Sequence, residues 1–486
     1  MEYLTRNRPK CMIPVHNVPM IIRLFNKFSD SEFIVITDYK RDVLKSYLQT
    51  FATVDYKIVE SSEKGNIAGI ADAAESSERN GSALLIWSDL VLSDEFDPSS
   101  LQNGSYVGIS ETFECSRSFL NNQFLHEKSK VNGVAGCFII ENMGFLKDIP
   151  REGSFVDWAE ESGIEFRRMS MMGSYEIGTL KDFQALDDNN MRCRPYNHMV
   201  ISKDYVIKSG LTEEGIKLID REINWYKNMK EYGFISVPKI YEYSPMKMER
   251  IEGDNIFRSK LDDSQKRVVL EKIVSSLKIM HNYDSILADI ESITKEYFEK
   301  TIRRLDSIKN AIPFSNDDYV MINGKKRVNV LKNQEILKKA IEGNIRVEVF
   351  RPIHGDCTLT NTLIDSNLNV YFIDARGYFG THDVLGDPDY DWTKVYYSIS
   401  GNFDQFNVKN FSLEINDDSV EYHIGSNGWE FLTEDFFNLA EISDVKSIRL
   451  IHSIIWLSLA SHAWEDYDSM CLAYYNGLVL FDEFAD

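Results

Sequence analysis

The sequence predicts an α/β protein in two parts: a doubly wound, mostly parallel sheet over the first 185 residues, then a two-lobed α+β domain. Three observations carry this. Short β-rich apolar runs alternate with helical patterns as far as residue 185. A polar stretch, ALDDNNMRCRPYN at 185–197, then ends the alternation and reads as a linker. Beyond it, two strand patterns and one helix precede long amphipathic helical stretches.

Each element has its own signal. EFIVIT (32–37) and DYKIVE (55–60) are short and rich in β-branched residues, so they read as strands. Between them RDVLKSYLQTF sets Val43, Leu44 and Leu48 at helical spacing. GNIAGIADAAES reads as a helix opened by a small-residue loop. ALLIW (83–87) is a continuous apolar run, as expected of a strand buried on both faces. After the linker, HMVISKDYVIKSG reads as two strands joined by a Ser-Lys-Asp turn. A helix over 212–229 follows. Past Glu252 the chain reads as mostly helical, notably over 264–282, 288–308 and 447–464, with one β-hairpin in NTLIDSNLNVYFID. The expected domains are 1–185, 186–252 and 253–486. A length of 486 residues suits about three domains and needs no disulfide or metal staple.

Composition narrows the function. Asp and Glu outnumber Lys and Arg by 76 to 54, for a net charge of −22. So acidic a chain repels polyanions, which makes general nucleic-acid binding and docking on anionic membranes poor readings unless a local basic patch appears. Hydrophobic residues at 43% and aromatics at 12% exclude a largely disordered chain. The six cysteines are scattered without a CxxC pair, so neither a zinc ribbon nor a disulfide framework is expected. No apolar run approaches 18 residues, and MEYLTRNRPK lacks the core of a signal peptide, so a cytoplasmic protein without membrane insertion is expected. Its partners should be small molecules; the sequence leaves the oligomeric state open.

The densest chemistry lies in His354-Gly355-Asp356-Cys357-Thr358-Leu359-Thr360-Asn361 and in Asp374 at the end of the hairpin. Phosphoryl transfer needs a carboxylate to take the attacking hydroxyl's proton, oxygen ligands for Mg²⁺, and a cation on the phosphates. Asp356 suits the base. Asn361 and Asp374 suit the metal, because the hairpin folds the loop back on itself. The segment resembles the protein-kinase pattern HRDxxxxN followed by DFG. It is closer to the aminoglycoside phosphotransferase/choline kinase family, where HGDxxxxN is usual. That resemblance implies ATP and Mg²⁺ as cofactors. It implies Lys208 in VIKSG as the phosphate-gripping lysine, and Glu222 on the next helix as its ion-pair partner. It places the stretch from Met248 to Ile251 at the hinge near the adenine, and Asp387 or Asp391 as a brace for the catalytic loop. Two departures stand out: no GxGxxG joins the first two strands, and Ala-Arg rather than Phe-Gly follows Asp374.

RPKCMIPVHNVPMI resembles the segment after the phosphate loop of sugar-phosphate nucleotidyltransferases. The resemblance implies Lys10 as a catalytic, phosphate-contacting lysine. It implies Gly65 and Gly69 in a loop passing close to the nucleobase, and Asp89 and Glu176 as Mg²⁺ carboxylates. Glu176 stands where that family usually has Asp. The second nucleotide would be CTP or another NTP. The family opens with a strand and a Gly-rich loop that would lie ahead of Met1, so an earlier start is expected and nucleotidyl transfer by this chain should be weak or absent. The C-terminal aromatics Trp456, Trp464, Tyr467, Tyr474 and Tyr475 read as core, with an ammonium-binding pocket as the alternative.

Together these features imply a kinase for a small alcohol, amino alcohol or sugar, fused to a nucleotidyltransferase that turns the phosphate into an NDP-activated precursor of bacterial surface polysaccharide. Two alternatives stay open: an aminoglycoside-type resistance kinase, and a kinase carrying a non-catalytic nucleotidyltransferase-like module.

Overall fold

The computed structural model describes residues 2–63, 65–187 and 197–484. Most of the expected linker, with Cys193, lies outside them, and its first residues instead continue the helix Leu180–Asp187. The chain divides into two compact units, Met1–Asn190 and Met191–Asp486.

In the first unit, strand β1 (Phe33–Thr37), helix α1 (Arg41–Phe51) and strand β2 (Tyr56–Glu60) form a β-α-β turn with β1 and β2 parallel. Leu44, Tyr47 and Leu48 put one apolar stripe of α1 in the core. Helix α2 (Asn66–Ser76) starts after Gly65, whose φ of 109° suits glycine alone. Then come β3 (Ala83–Ile86), β4 (Leu90–Val91), β5 (Ser105–Ser110), β6 (Gly133–Ile140), β7 (Phe166–Ser170) and β8 (Tyr175–Glu176). Ile67, Ile70, Ala71 and Ala74 of α2 pack with Val107 and Phe138 of the larger sheet.

Two expectations are corrected here. The sheet is mixed rather than mostly parallel: β6 runs antiparallel to both β3 and β5, and β7 is parallel to β5. The link from β5 to β6 carries the short strands Ser118–Leu120 and Gln123–Leu125 rather than a crossover helix, so β6 returns antiparallel. In addition, β3 is only partly buried along its whole length. Its sole strand partner among the described residues is β6, so one edge lacks the cover that a central strand receives.

The second unit opens with β9 (Asn197–Ile201), β10 (Tyr205–Gly210), helix α3 (Glu213–Tyr232), β11 (Ile240–Tyr243) and β12 (Met246–Glu249). The strands form an antiparallel sheet ordered β9-β10-β12-β11. Thr212 caps α3 by accepting from the Gly215 N–H, and Gly233 in the left-handed region ends it. Ile219, Ile223, Tyr226 and Met229 form its buried stripe.

A larger helical part follows. Helix α4 (Asp263–His281) has a full capping box between Asp262 and Gln265. A π-helical stretch, Thr294–Glu299, leads into α5 (Lys300–Ile308). The hairpin β13 (Thr362–Asp365) and β14 (Val370–Phe372) follows the loop from His354 to Asn361, as the sequence predicts. Helices α6 (Pro388–Ile399), α7 (Val445–Leu459) and α8 (Tyr467–Glu483) complete the part.

The expectation of a single hairpin here is also corrected. Tyr319–Ile322, Lys325–Val328, Phe411–Ile415 and Val420–Ile424 form a second sheet. Its Asn323-Gly324 turn has positive φ at both positions, the two-residue geometry that Asn-Gly favours. Trp456, Tyr474 and Tyr475 are fully buried and Tyr467 nearly so, which makes them core. Among the described residues no helix is long and apolar enough to cross a membrane, and five free cysteines are present.

Candidate functional site

The loop from His354 to Asn361 is held from several sides. Asp391 of α6, fully buried, accepts the backbone N–H of His354 at 2.8 Å and of Gly355 at 2.6 Å. It also lies 3.1 Å from His281 Nε2. Asp391 is therefore the brace. Asp387 is not: it caps α6 by accepting from the Asp389 N–H, and it accepts the Tyr297 hydroxyl at 2.6 Å. Burial pushes its carboxyl up to about 7. Ser398 accepts the Leu359 N–H and Asp404 accepts that of Thr360, so α6 and the helix after it set the far half of the loop. Gly355 has φ 78°, and a Cβ there would meet the Arg376 side chain at 2.9 Å.

Asp356 sits at the mouth of this loop. Asn361 Nδ2 donates to its Oδ2 at 2.8 Å and to its carbonyl oxygen at 3.0 Å. Asn361 Oδ1 is thereby left as the amide's accepting end. Lys394 Nζ of α6 lies 2.9 Å from Asp356 Oδ1. Sequence reading missed Lys394; its place one helical turn after Asp391, on the same α6 face, was the available signal.

Lys208 of β10 reaches Glu222 of α3 at 2.6 Å and also pairs with Asp374 Oδ1. Glu222 is 4% exposed, whereas half of the Asp374 side-chain surface is open. Burial lifts the Glu222 carboxyl to about 7. Desolvation opposes charge on Lys208, but Asp374 and Glu222 outweigh it and raise its pKa. The Lys208 charge in turn lowers the Asp374 pKa. Asp374 holds φ 59°, rare for a non-glycine residue, at the point where the chain leaves the hairpin. Met248 of β12, opposite Val206, and Ile251 are both buried.

In the first unit Lys10 Nζ donates to Asp89 Oδ2 at 2.8 Å. Glu176 arrives beside them because β8 pairs with β4, Glu176 opposite Leu90, and the Ile177 N–H donates to the Asp89 carbonyl. Burial, then the Asp89 charge, raises the Glu176 pKa. Asp182, which sequence reading did not single out, adds a further negative charge and accepts the Thr179 N–H. The three predicted side chains Lys10, Asp89 and Glu176 are thus together. Gly65 lies in the predicted loop, but Gly69 does not: it is inside α2, where a Cβ would stand 2.3 Å from Ile36 Cγ2. Gly69 lets the helix press onto β1, so its expected place in the loop is corrected. Among the described residues no three His, Cys, Asp or Glu side chains are grouped to hold a metal by themselves.

No family model and no curated protein matches the chain. Solved structures do. The chain is similar to HddC from Yersinia pseudotuberculosis at 20% identity, over 37% of this chain and 89% of that one, with a TM-score of 0.32. It is similar to choline kinase LicA from Streptococcus pneumoniae at 14% identity, over 59% and 89% of the two chains, with a TM-score of 0.37. It is also similar to APH(2")-IIa in a ternary complex with streptomycin and ATP, at 13% identity over 62% and 98%, with a TM-score of 0.40.

Proposed function

We propose that the second unit is an ATP-dependent kinase for a small hydroxyl compound. The convergence of Lys208, Glu222 and Asp374 at one place carries this reading. Lys208 comes from a strand, Glu222 from a helix and Asp374 from the end of a hairpin, and a buried lysine shared by two carboxylates is poised to exchange one of them for a phosphate. Asp356 takes the proton of the acceptor hydroxyl as its oxygen attacks the γ-phosphorus. The bond from that phosphorus to the bridging oxygen breaks, and ADP leaves. The open carboxylate of Asp374 and the accepting oxygen of Asn361 fit Mg²⁺ held jointly with the nucleotide phosphates. When bound, that ion neutralises charge across the β- and γ-phosphates. Met248 and Ile251 supply apolar surface for the adenine.

The first unit, in the same proposal, is a nucleotidyltransferase-like unit whose transfer activity in this chain is weak. Lys10 neutralises phosphate charge, and Asp89 and Glu176 would hold Mg²⁺ together with the phosphates of CTP or another NTP, the ion supplying charge neutralisation there. The phosphate made by the kinase attacks the α-phosphorus and pyrophosphate leaves, giving an activated precursor of the kind used for surface polysaccharide. The decisive experiment follows ADP and pyrophosphate together. ADP formation should need only ATP, Mg²⁺ and an acceptor, and pyrophosphate release should need a second NTP as well. ADP formation that survives Asp356→Asn at wild-type rate would refute the kinase.

A further inference from the structure

Beside the catalytic carboxylate the second unit builds a wall with surplus positive charge. Glu296, 2% exposed, lies in the π-helical stretch ahead of α5. Arg376, two residues past Asp374, grips it with both guanidinium nitrogens, at 2.5 and 2.8 Å. Lys300 pairs with the same carboxylate. Arg304, one turn further along α5, approaches this group, and its guanidinium has no hydrogen bond or ion pair among the described residues. Two basic side chains thus pair with one carboxylate, and a third, Arg304, lies near it without an ion pair among the described residues.

The wall continues to Asp356. The Tyr390 ring has Arg376 Cζ 5.3 Å, Lys300 Nζ 5.6 Å and Lys394 Nζ 5.9 Å from its centroid, and Lys394 holds Asp356. Arg376 also stacks 4.1 Å over Tyr378. Four basic groups therefore face two carboxylates, Glu296 and Asp356, in a chain whose net charge is −22. Desolvation, then the neighbouring Arg376, pushes Lys300 well below its usual range, and burial lowers Arg304. Arg304, Arg376, Lys394 and Tyr378 are only partly buried, so part of each side chain reaches the surface. Buried cations without counter-charges are costly, and a ligand oxyanion would offset that cost through charge-assisted hydrogen bonds.

We propose that this wall binds an oxyanion, carboxylate or phosphate, carried by the acceptor whose hydroxyl Asp356 deprotonates. The inference rests on the kinase reading and narrows the acceptor to a hydroxy acid or an already phosphorylated alcohol or sugar. An amino alcohol would bring its ammonium against Arg304 and Arg376.

The test uses the full chain and labelled inorganic phosphate in equilibrium dialysis, with saturating non-hydrolysable ATP analogue and Mg²⁺. One saturable phosphate site per chain is expected. Arg304→Gln should weaken it about ten-fold or more and Arg304→Lys should largely retain it. Because Arg304 has no protein partner among the described residues, its variants should melt with the wild type. Glycerate and glycerol 3-phosphate should displace the label and choline should not. No saturable site, a site untouched by Arg304→Gln, or displacement by choline at equal concentration would overturn the proposal. Failure of the ATP analogue itself to bind would sink the kinase reading instead, and the phosphate titration would still report on the wall.

Discussion

Lys394 Nζ and Asp356 Oδ1 stand 2.9 Å apart, a contact between a helix and a loop that no sequence motif joins. It gives the candidate base a fixed cation as neighbour, on the carboxylate edge away from Asn361. Lys394 acts through Asp356, so it is a positioning residue. Lys394→Met should lower kcat by about 10–100-fold while KM for ATP stays within about two-fold, and Lys394→Arg should recover part of the loss. A purely structural lysine would change both parameters together or neither.

Asp356→Asn keeps the shape of the base but removes its proton acceptor, and Asp374→Ala removes an open carboxylate suited to Mg²⁺. Each should cost several orders of magnitude in ADP formation, because both act on one transition state. Steady-state ADP release across an acceptor panel checks this.

Asp391 and Asp387 are four residues apart but should differ in consequence. Asp391→Ala leaves two buried backbone N–H groups without an acceptor, a loss of about 2–5 kcal/mol. Asp387→Ala removes a helix cap and one partner of the Tyr297 hydroxyl, and it also relieves an uncomfortably buried carboxyl, so its loss should be about 1–2 kcal/mol. Calorimetric transitions of the two variants should rank in that order.

His452 carries a pH prediction. Burial, then the Lys394 charge, holds its imidazole down at about 3, and its Nε2 accepts the Trp456 indole N–H at 2.9 Å. The folded state therefore refuses a proton that the unfolded chain accepts near pH 6.5. Stability from this group is present above pH 6.5, declines as pH falls and is gone near pH 3, with a full span on the order of 5 kcal/mol. His452→Gln should lose less stability than wild type between pH 7 and pH 4. Parallel losses in the two proteins would contradict the assignment.

Asp89→Ala should abolish Mg²⁺-dependent NTP binding and pyrophosphate release by the first unit while ADP formation continues. Loss of ADP formation as well would make Asp89 a structural residue.

Residue order alone carried what depends on short separations. The loop from His354 to Asn361 and the hairpin ending at Asp374 lie within one continuous segment, so spacing and turn chemistry were enough to bring their side chains together. The strand lysine and helix glutamate were expected from the family resemblance, and the strand, turn and helix that carry them also lie in one continuous segment. Folding in three dimensions settled the rest. Strand periodicity is the same for either direction of pairing, so the antiparallel course of β6 was invisible until the sheet formed. Gly69 looked like a loop glycine until β1 pressed against it. Choosing Asp391 over Asp387 required knowing which α6 face meets the loop, and the meeting of Glu296, Lys300, Arg304 and Arg376 joins separate stretches of chain. Burial and net charge at a point are sums over everything packed around it, and that sum exists only once distant segments share a core.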